Sequence, residues 1–214
     1  GRFNVLREFN IQAVKGILEE ASKGTPAEEG SIRRRVADFY SAGMDSIAIE
    51  KLGYRPIKAD LKAISKLKSK EAIVLAIAKA RTEGKGSPLY GFFVGQDRKN
   101  VEVMIPQFSQ GGTTLPDRDY YLKNDARSTA IKTAYYEYIV KLFTLTGTKP
   151  AEAKAKADMI IAFETELAQA QMPRVEMRNP QKTYNKLAVK DFAATTPNLN
   201  WSLLMPIMKV AGQD

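Results

Sequence analysis

The side chains of this 214-residue sequence that could do acid–base chemistry are carboxylates and phenols, because it contains no histidine and no cysteine. Catalytic zinc is held most often by imidazole nitrogens, with thiolates the usual substitute, so a conventional zinc site is excluded. The Ser-His-Asp and Cys-His nucleophile arrangements need an imidazole base and fall with it. Two carboxylate pairs remain. Glu164 and Glu166 stand two apart in a helical pattern, point to different sides of the helix, and read as a charged rim rather than a pair sharing one substrate atom. Asp117 and Asp119 bracket Arg118 just after Pro116, a setting that favours capping and turn roles, with cation binding as the alternative. Tyr120, Tyr121, Tyr135, Tyr136 and Tyr138 read as core and rim residues rather than general acids. Neither GQDRKN nor SQGG has the spacing and lysine of a phosphate-binding loop. The chain offers no catalytic residue and no metal ligand set of its own.

The elements that must position these residues are mostly helices. Apolar residues at spacings of three and four predict a helix from Asn4 to Lys23, with Leu6, Phe9, Ala13 and Ile17 on one stripe and Gly24 as its stop. A second helix from Ser31 carries Ile32, Val36, Phe39 and Tyr40, and Asp45 caps a short third. Pro56 opens a fourth, and Ser69 to Arg81 forms a fifth. Between Leu89 and Phe108 the period changes to that of a β-hairpin around GQDRKN, with Pro106 marking its end as an edge or exit. The stretch Gln107 to Leu122, QFSQGGTTLPDRDYYL, concentrates Gly111, Gly112, Pro116 and two aspartates, and reads as the folded-back junction from strand to helix. Two long helices follow: one from Asp125 with Ile131, Tyr135, Tyr138, Ile139, Leu142 and Leu145 inward, and one opened by Pro150 with Met159, Phe163, Leu167 and Ala170 inward. The short GTK connection makes them antiparallel, and Ala153, Ala155 and Ala157 allow close approach. The expected fold is mainly α, a single multi-helix lobe over residues 1–214 with one small β-hairpin insertion.

Composition is that of an ordinary globular chain, 44% hydrophobic and 27% charged. No apolar run approaches the roughly 20 residues that span a bilayer, and the N-terminal stretch lacks the apolar core of a signal peptide. The net charge of +9 is concentrated between residues 51 and 100, where 12 Lys or Arg face 4 Asp or Glu. A basic helical face can follow phosphates, but no aromatic residue interleaves Lys58 to Lys70 for stacking bases. The surplus reads as a solvated lysine face, with no nucleic-acid partner. A free-standing basic interaction or nucleic-acid-binding module is the alternative reading of the chain.

Four windows resemble one family in that family's order, and a fifth, at the N-terminus, resembles it as well. LPDRDYYL (115–122) resembles the LP-x-R-x-YY element of the neprilysin family of zinc endopeptidases, and FYSAGMDSIAIEKLGYRPI (39–57) its Y-x-S-C-M-(D/N)-x-x-x-I-E segment. FFVGQDRKN (92–100) resembles its F-x-V-x-x-D-x-K-N hairpin, and RNPQKTYNKL (178–187) its R-(D/N)-P-x-K-x-Y-N-K segment. Gly43 stands where eukaryotic members carry a cysteine, which points to a bacterial member of the endopeptidase O type. The fifth window, GRFNVLREFN, resembles the family's R-Y-G-N-F-D-x-L-R-D segment, which lies against the primed side of the substrate site. Arg7 falls on its second arginine and Asn4 on its aspartate, while the first arginine would precede Gly1. The resemblance implies an N-terminal fragment of a zinc metalloendopeptidase acting on oligopeptides, with the zinc ligands outside this chain. It implies most of the non-catalytic lobe, partnered by the catalytic lobe of the same polypeptide, with Asn4 and Arg7 as substrate-binding residues. An extracytoplasmic location, periplasmic or at the cell envelope, is implied with it.

Overall fold

The computed structural model describes residues 1–86 and 88–210. Among these the chain forms eleven α-helices and one two-stranded antiparallel hairpin, the mainly helical architecture with a small β insertion that the periodicity predicts. Packing divides it into two compact units, Gly1–Ala59 and Asp60–Asp214.

The first unit contains α1 (Arg2–Ser22), α2 (Ile32–Met44) and α3 (Ser46–Leu52), with α1 packed on α2. Local chemistry sets their ends. The Ser31 hydroxyl accepts a hydrogen bond from the Arg34 N–H, and the Asp45 carboxylate accepts one from the Ala48 N–H at 2.9 Å, each satisfying an amide the helix leaves unpaired. No residue of these three helices is buried. Phe3 is 88% exposed and Phe39 85%, so the apolar stripes that the periodicity turns inward face outward in this unit. A stripe of this kind closes only against a surface that residues 1–59 do not supply.

The second unit has two cores. The first joins α5 (Lys70–Thr82), β1 (Tyr90–Asp97), β2 (Asn100–Gln110), α10 (Val189–Thr195) and α11 (Trp201–Ile207) through Ala78, Trp201, Leu204, Met205, Met208 and Val210. Phe108 is the aromatic hub, 5.0 Å from both Phe92 and Phe192 and edge-on to Trp201 at 5.1 Å, separations at which rings attract. An isolated hairpin is marginal in water, and this contact is what holds it. β2 runs through Pro106 to Gln110, so Pro106 lies within the strand rather than at its end. That is permitted because, among the described residues, β2 has a neighbour on one side only.

The second core lies between α7 (Ala126–Leu145) and α8 (Pro150–Ala170), joined across residues 146–149, with α6 (Asp119–Leu122) against both. α7 buries Ser128, Tyr135 and Ile139, while Tyr138, Leu142 and Leu145 are exposed. α8 turns in Ala153, Ala157, Glu164 and Ala168, leaving Met159 70% and Phe163 52% exposed. The small-residue face is the inward one because it lets the two backbones approach, and the bulkier Met159–Phe163 stripe is left without a partner among the described residues.

Candidate functional site

Residues 107–122 fold back as the junction between β2 and α6, and α8 holds that junction through a row of side chains. Glu164 is the centre of the row. Its carboxylate accepts hydrogen bonds from the Thr114 hydroxyl at 2.8 Å, the Thr114 N–H at 3.3 Å, the Tyr121 hydroxyl at 2.5 Å and the Tyr135 hydroxyl at 3.1 Å. The Tyr121 oxygen in turn accepts from the Leu115 N–H at 2.8 Å. Burial, reinforced by the neighbouring carboxylate, pushes the Tyr121 phenol far up; burial likewise pushes Tyr135 up to about 12. Neither phenol releases a proton near neutral pH. Just past the end of α8, the Gln171 amide donates to the Gly111 carbonyl at 3.0 Å, and the Met172 N–H donates to the Gln110 side chain at 2.8 Å. Gly112 has φ +89°, and a Cβ there would lie 2.9 Å from both Leu167 Cδ1 and the Pro88 carbonyl oxygen. The residue has to be glycine for the chain to pass.

The reading of Glu164 as a rim charge is therefore corrected: it is 7% exposed and carries the junction. The signal was present, since Ala153, Ala157, Glu164 and Ala168 fall on one face at spacings that return every three or four residues. Glu166, by contrast, is exposed. Asp117 takes a turn role, its side chain accepting from the Asp119 N–H at 3.0 Å. Arg118 Nε is buried with no hydrogen-bond partner among the described residues.

A second cluster stands at the hairpin turn. Asp97, 1% exposed, accepts from Lys186 Nζ at 2.8 Å, the Tyr184 hydroxyl at 2.8 Å and the Lys99 N–H at 2.9 Å. The Lys186 ammonium first, then the Lys99 amide and the Tyr184 hydroxyl, hold its carboxyl well below the usual carboxylate range. Arg98 donates to the Thr183 carbonyl at 2.5 Å and its hydroxyl at 3.0 Å, so the turn and residues 183–186 form one clasp. Two of the windows that carry the family resemblance, 92–100 and 178–187, thus meet in space.

Asn4 and Arg7 lie in the first two turns of α1, both exposed, and neither side chain has a hydrogen-bond or ion-pair partner among the described residues. Arg7 lines a shallow apolar groove of about 610 Å³ along α1 together with Phe3, Leu6, Asn10, Ile11 and Val14; Asn4 lies outside it. The neighbouring Glu8 carboxylate accepts from the Gln12 side chain at 3.0 Å rather than pairing with Arg7.

Over residues 1–213 the sequence matches the model of Peptidase family M13. The chain belongs to that family. It is 28% identical to mouse endothelin-converting enzyme 1 over 211 residues, 94% of this chain and 26% of that protein. It is 26% identical to Drosophila melanogaster Neprilysin-3 over the same share of each. Its structure resembles the Mycobacterium tuberculosis zinc metalloprotease Zmp1 in complex with inhibitor, with TM-score 0.84 and 26% identity over 97% of this chain and 31% of Zmp1. It shares its fold with PepO from Lactobacillus rhamnosis, with TM-score 0.73 at 16% identity. The M13 chain here spans about a quarter of the length of the curated relatives it matches.

Family M13 brings in the question of zinc, and the donors of these residues do not fit it. With no imidazole or thiolate, only carboxylates could serve, and among the described residues no three acidic groups converge. The two buried ones are spoken for, Glu164 by hydroxyls and an amide and Asp97 by an ammonium. No helix of the described residues is long and apolar enough to cross a membrane.

Proposed function

We propose that residues 1–214 are part of the non-catalytic lobe of a zinc metalloendopeptidase that cleaves oligopeptides, with the zinc ligands elsewhere in the polypeptide. The observation that carries this reading is the M13 match across 213 of 214 residues, and the exposed apolar faces of α1 and α2 support it. Phe3, Leu6, Phe9, Ile32 and Phe39 leave more apolar surface in water than a finished unit retains. The catalytic lobe of the same polypeptide is the surface that covers them. In this reading the lobe closes one side of the active-site cavity and admits short peptides while excluding folded proteins. Its own residues supply walls and positioning rather than proton transfer, in keeping with two tyrosines whose protons are held tightly and a glutamate whose oxygens are occupied by donors.

Asn4 and Arg7 are the substrate-binding residues of this proposal. Three apart on α1, they share a side of the helix, and Arg7 has an unpaired guanidinium free to meet a peptide carboxylate directly or to orient a preceding arginine. The enzyme acts outside the cytoplasm, at the periplasm or cell envelope.

The test is made on the full-length protein, comparing a peptide of about ten residues with a folded protein as substrate, with and without a chelator. The expected result is rapid, chelator-sensitive cleavage of the peptide and negligible attack on the folded protein. Equal rates on both substrates, or activity that survives the chelator, overturns the reading.

A further inference from the structure

Arg118 stands in the junction between β2 and α6, and its backbone is pinned on both sides. Its carbonyl accepts from the Tyr121 N–H at 3.0 Å and the Leu122 N–H at 3.3 Å, and the Asp119 N–H donates to the Asp117 side chain at 3.0 Å. The side chain is the opposite case. Among the described residues Nε is the one buried side-chain nitrogen or oxygen with no hydrogen-bond partner, so Nη1 and Nη2, which have none either, lie at the surface. The carboxylates of the junction are committed elsewhere. Asp117 holds the Asp119 N–H and faces Arg174 at 3.9 Å, Asp119 pairs with Lys123 at 2.7 Å, and the Glu164 oxygens take up hydroxyls and an amide. A guanidinium cannot shed its proton to escape the cost, and a buried N–H of a charged group without an acceptor is among the larger penalties a fold can carry.

We propose that Arg118 anchors a carboxylate, an Asp or Glu side chain of the same polypeptide from beyond residue 214, across Nη1 and Nη2. The inference rests on the reading of residues 1–214 as one part of a longer peptidase, and deepens it by naming a residue that ties the remaining chain to this unit. Three observations favour that occupant. The two Nη groups form a planar fork that matches both oxygens of one carboxylate, and because the charge is delocalised over the guanidinium, an anion at that edge also stabilises the buried Nε–H. Residues 1–214 carry 33 Lys and Arg against 24 Asp and Glu, so complementary acids are in short supply within them. The match covers 26% of mouse endothelin-converting enzyme 1, so a polypeptide of that length has most of its residues available to supply one. The pinned backbone fixes where the fork stands, so the pair sets the position of the incoming segment as well as its charge.

The experiment uses the full-length protein in two ways. In the wild type, phenylglyoxal labelling followed by mass spectrometry reads whether Arg118 is covered; the expected result, without any peptide substrate, is labelling at least about 10-fold slower than in the urea-unfolded protein. In Arg118→Lys, zero-length carbodiimide coupling should join the new amine to one Asp or Glu beyond residue 214, with no such adduct in Arg118→Gln. Labelling as fast as in the unfolded protein, protection that develops only when a peptide substrate is bound, an adduct confined to residues 1–214 or to a second copy, or no adduct from a folded Arg118→Lys protein overturns the proposal. If Arg118→Lys does not fold, the wild-type labelling decides. Peptidase activity is measured on the wild-type preparation. A covered Arg118 in an inactive protein leaves the anchor standing and removes the functional reading, and an active enzyme with a freely labelled Arg118 does the reverse.

Discussion

Glu164 shows how a single residue can hold a loop to a helix. Its four donors come from two segments, 114–121 and α7, and none carries a formal charge. Glu164→Gln keeps the shape but turns one acceptor into a donor facing hydroxyls, and should destabilise the protein by about 1–3 kcal/mol, read as a lower urea midpoint at unchanged slope. Tyr135→Phe, which removes the longer of the two phenol contacts, should cost less. Asp97 gives a pH signature. Its folded pKa lies below the unfolded value of about 3.9, so the stability it contributes is present above that pH and is lost as the pH falls below it. The melting-temperature gap between wild type and Asp97→Asn should therefore be constant from pH 7 to about pH 5 and shrink below about pH 4. A gap that widened on acidification would contradict the depressed pKa. For Arg7, the proposed contact with a peptide carboxylate predicts that Arg7→Ala in the full-length enzyme lowers kcat/KM roughly 10- to 100-fold for peptides with a free C-terminus. Amidated peptides should be affected much less; equal losses on both would return Arg7 to the scaffold.

At the scale of elements, the junction 107–122 depends on backbone as much as on side chains. Gly112 and Gly84 both have positive φ, +89° and +72°, but only at Gly112 would a Cβ meet neighbours, with nothing within 4 Å at Gly84. Gly84→Ala should then cost only the left-handed strain of roughly 1–2 kcal/mol, and Gly112→Ala distinctly more, because Leu167 and the Pro88 carbonyl must also move. Denaturant titration of the two variants side by side checks this, and equal losses would show that α8 does not press on the junction. The α7–α8 pair carries a related lesson. Each helix has two apolar stripes, and the one holding Ala153, Ala157 and Ala168 is buried because small side chains permit the closer approach.

For the molecule as a whole, the Gly1–Ala59 unit is the least self-sufficient part. Its helices have caps and apolar periodicity but no buried residue. Phe39→Glu should raise the solubility of the isolated 1–214 chain and lower its binding of an apolar dye, while reducing the yield of folded full-length protein. Soluble expression of both lengths, wild type and variant, measures this. An equal effect on both would mean that Phe39 is solvent-exposed in the full-length protein as well.

What the sequence by itself determined is local or compositional. The caps at Asp45 and Asp125, the entry of α8 at Pro150 and the lack of any histidine or cysteine follow from residue types and from spacings of at most four, within which capping and helical periodicity operate. The family windows belong with these, since each is a short contiguous string. What only tertiary structure decided are contacts between distant residues: Glu164 reaching Thr114 and Tyr121 across 50 and 43 positions, and Lys186 reaching Asp97 across 89. The small-residue face that Glu164 shares is visible in the spacing, but not the four donors that meet the glutamate there. Its burial is set by which other segment packs there, and that depends on how all the apolar and small-residue faces fit together at once.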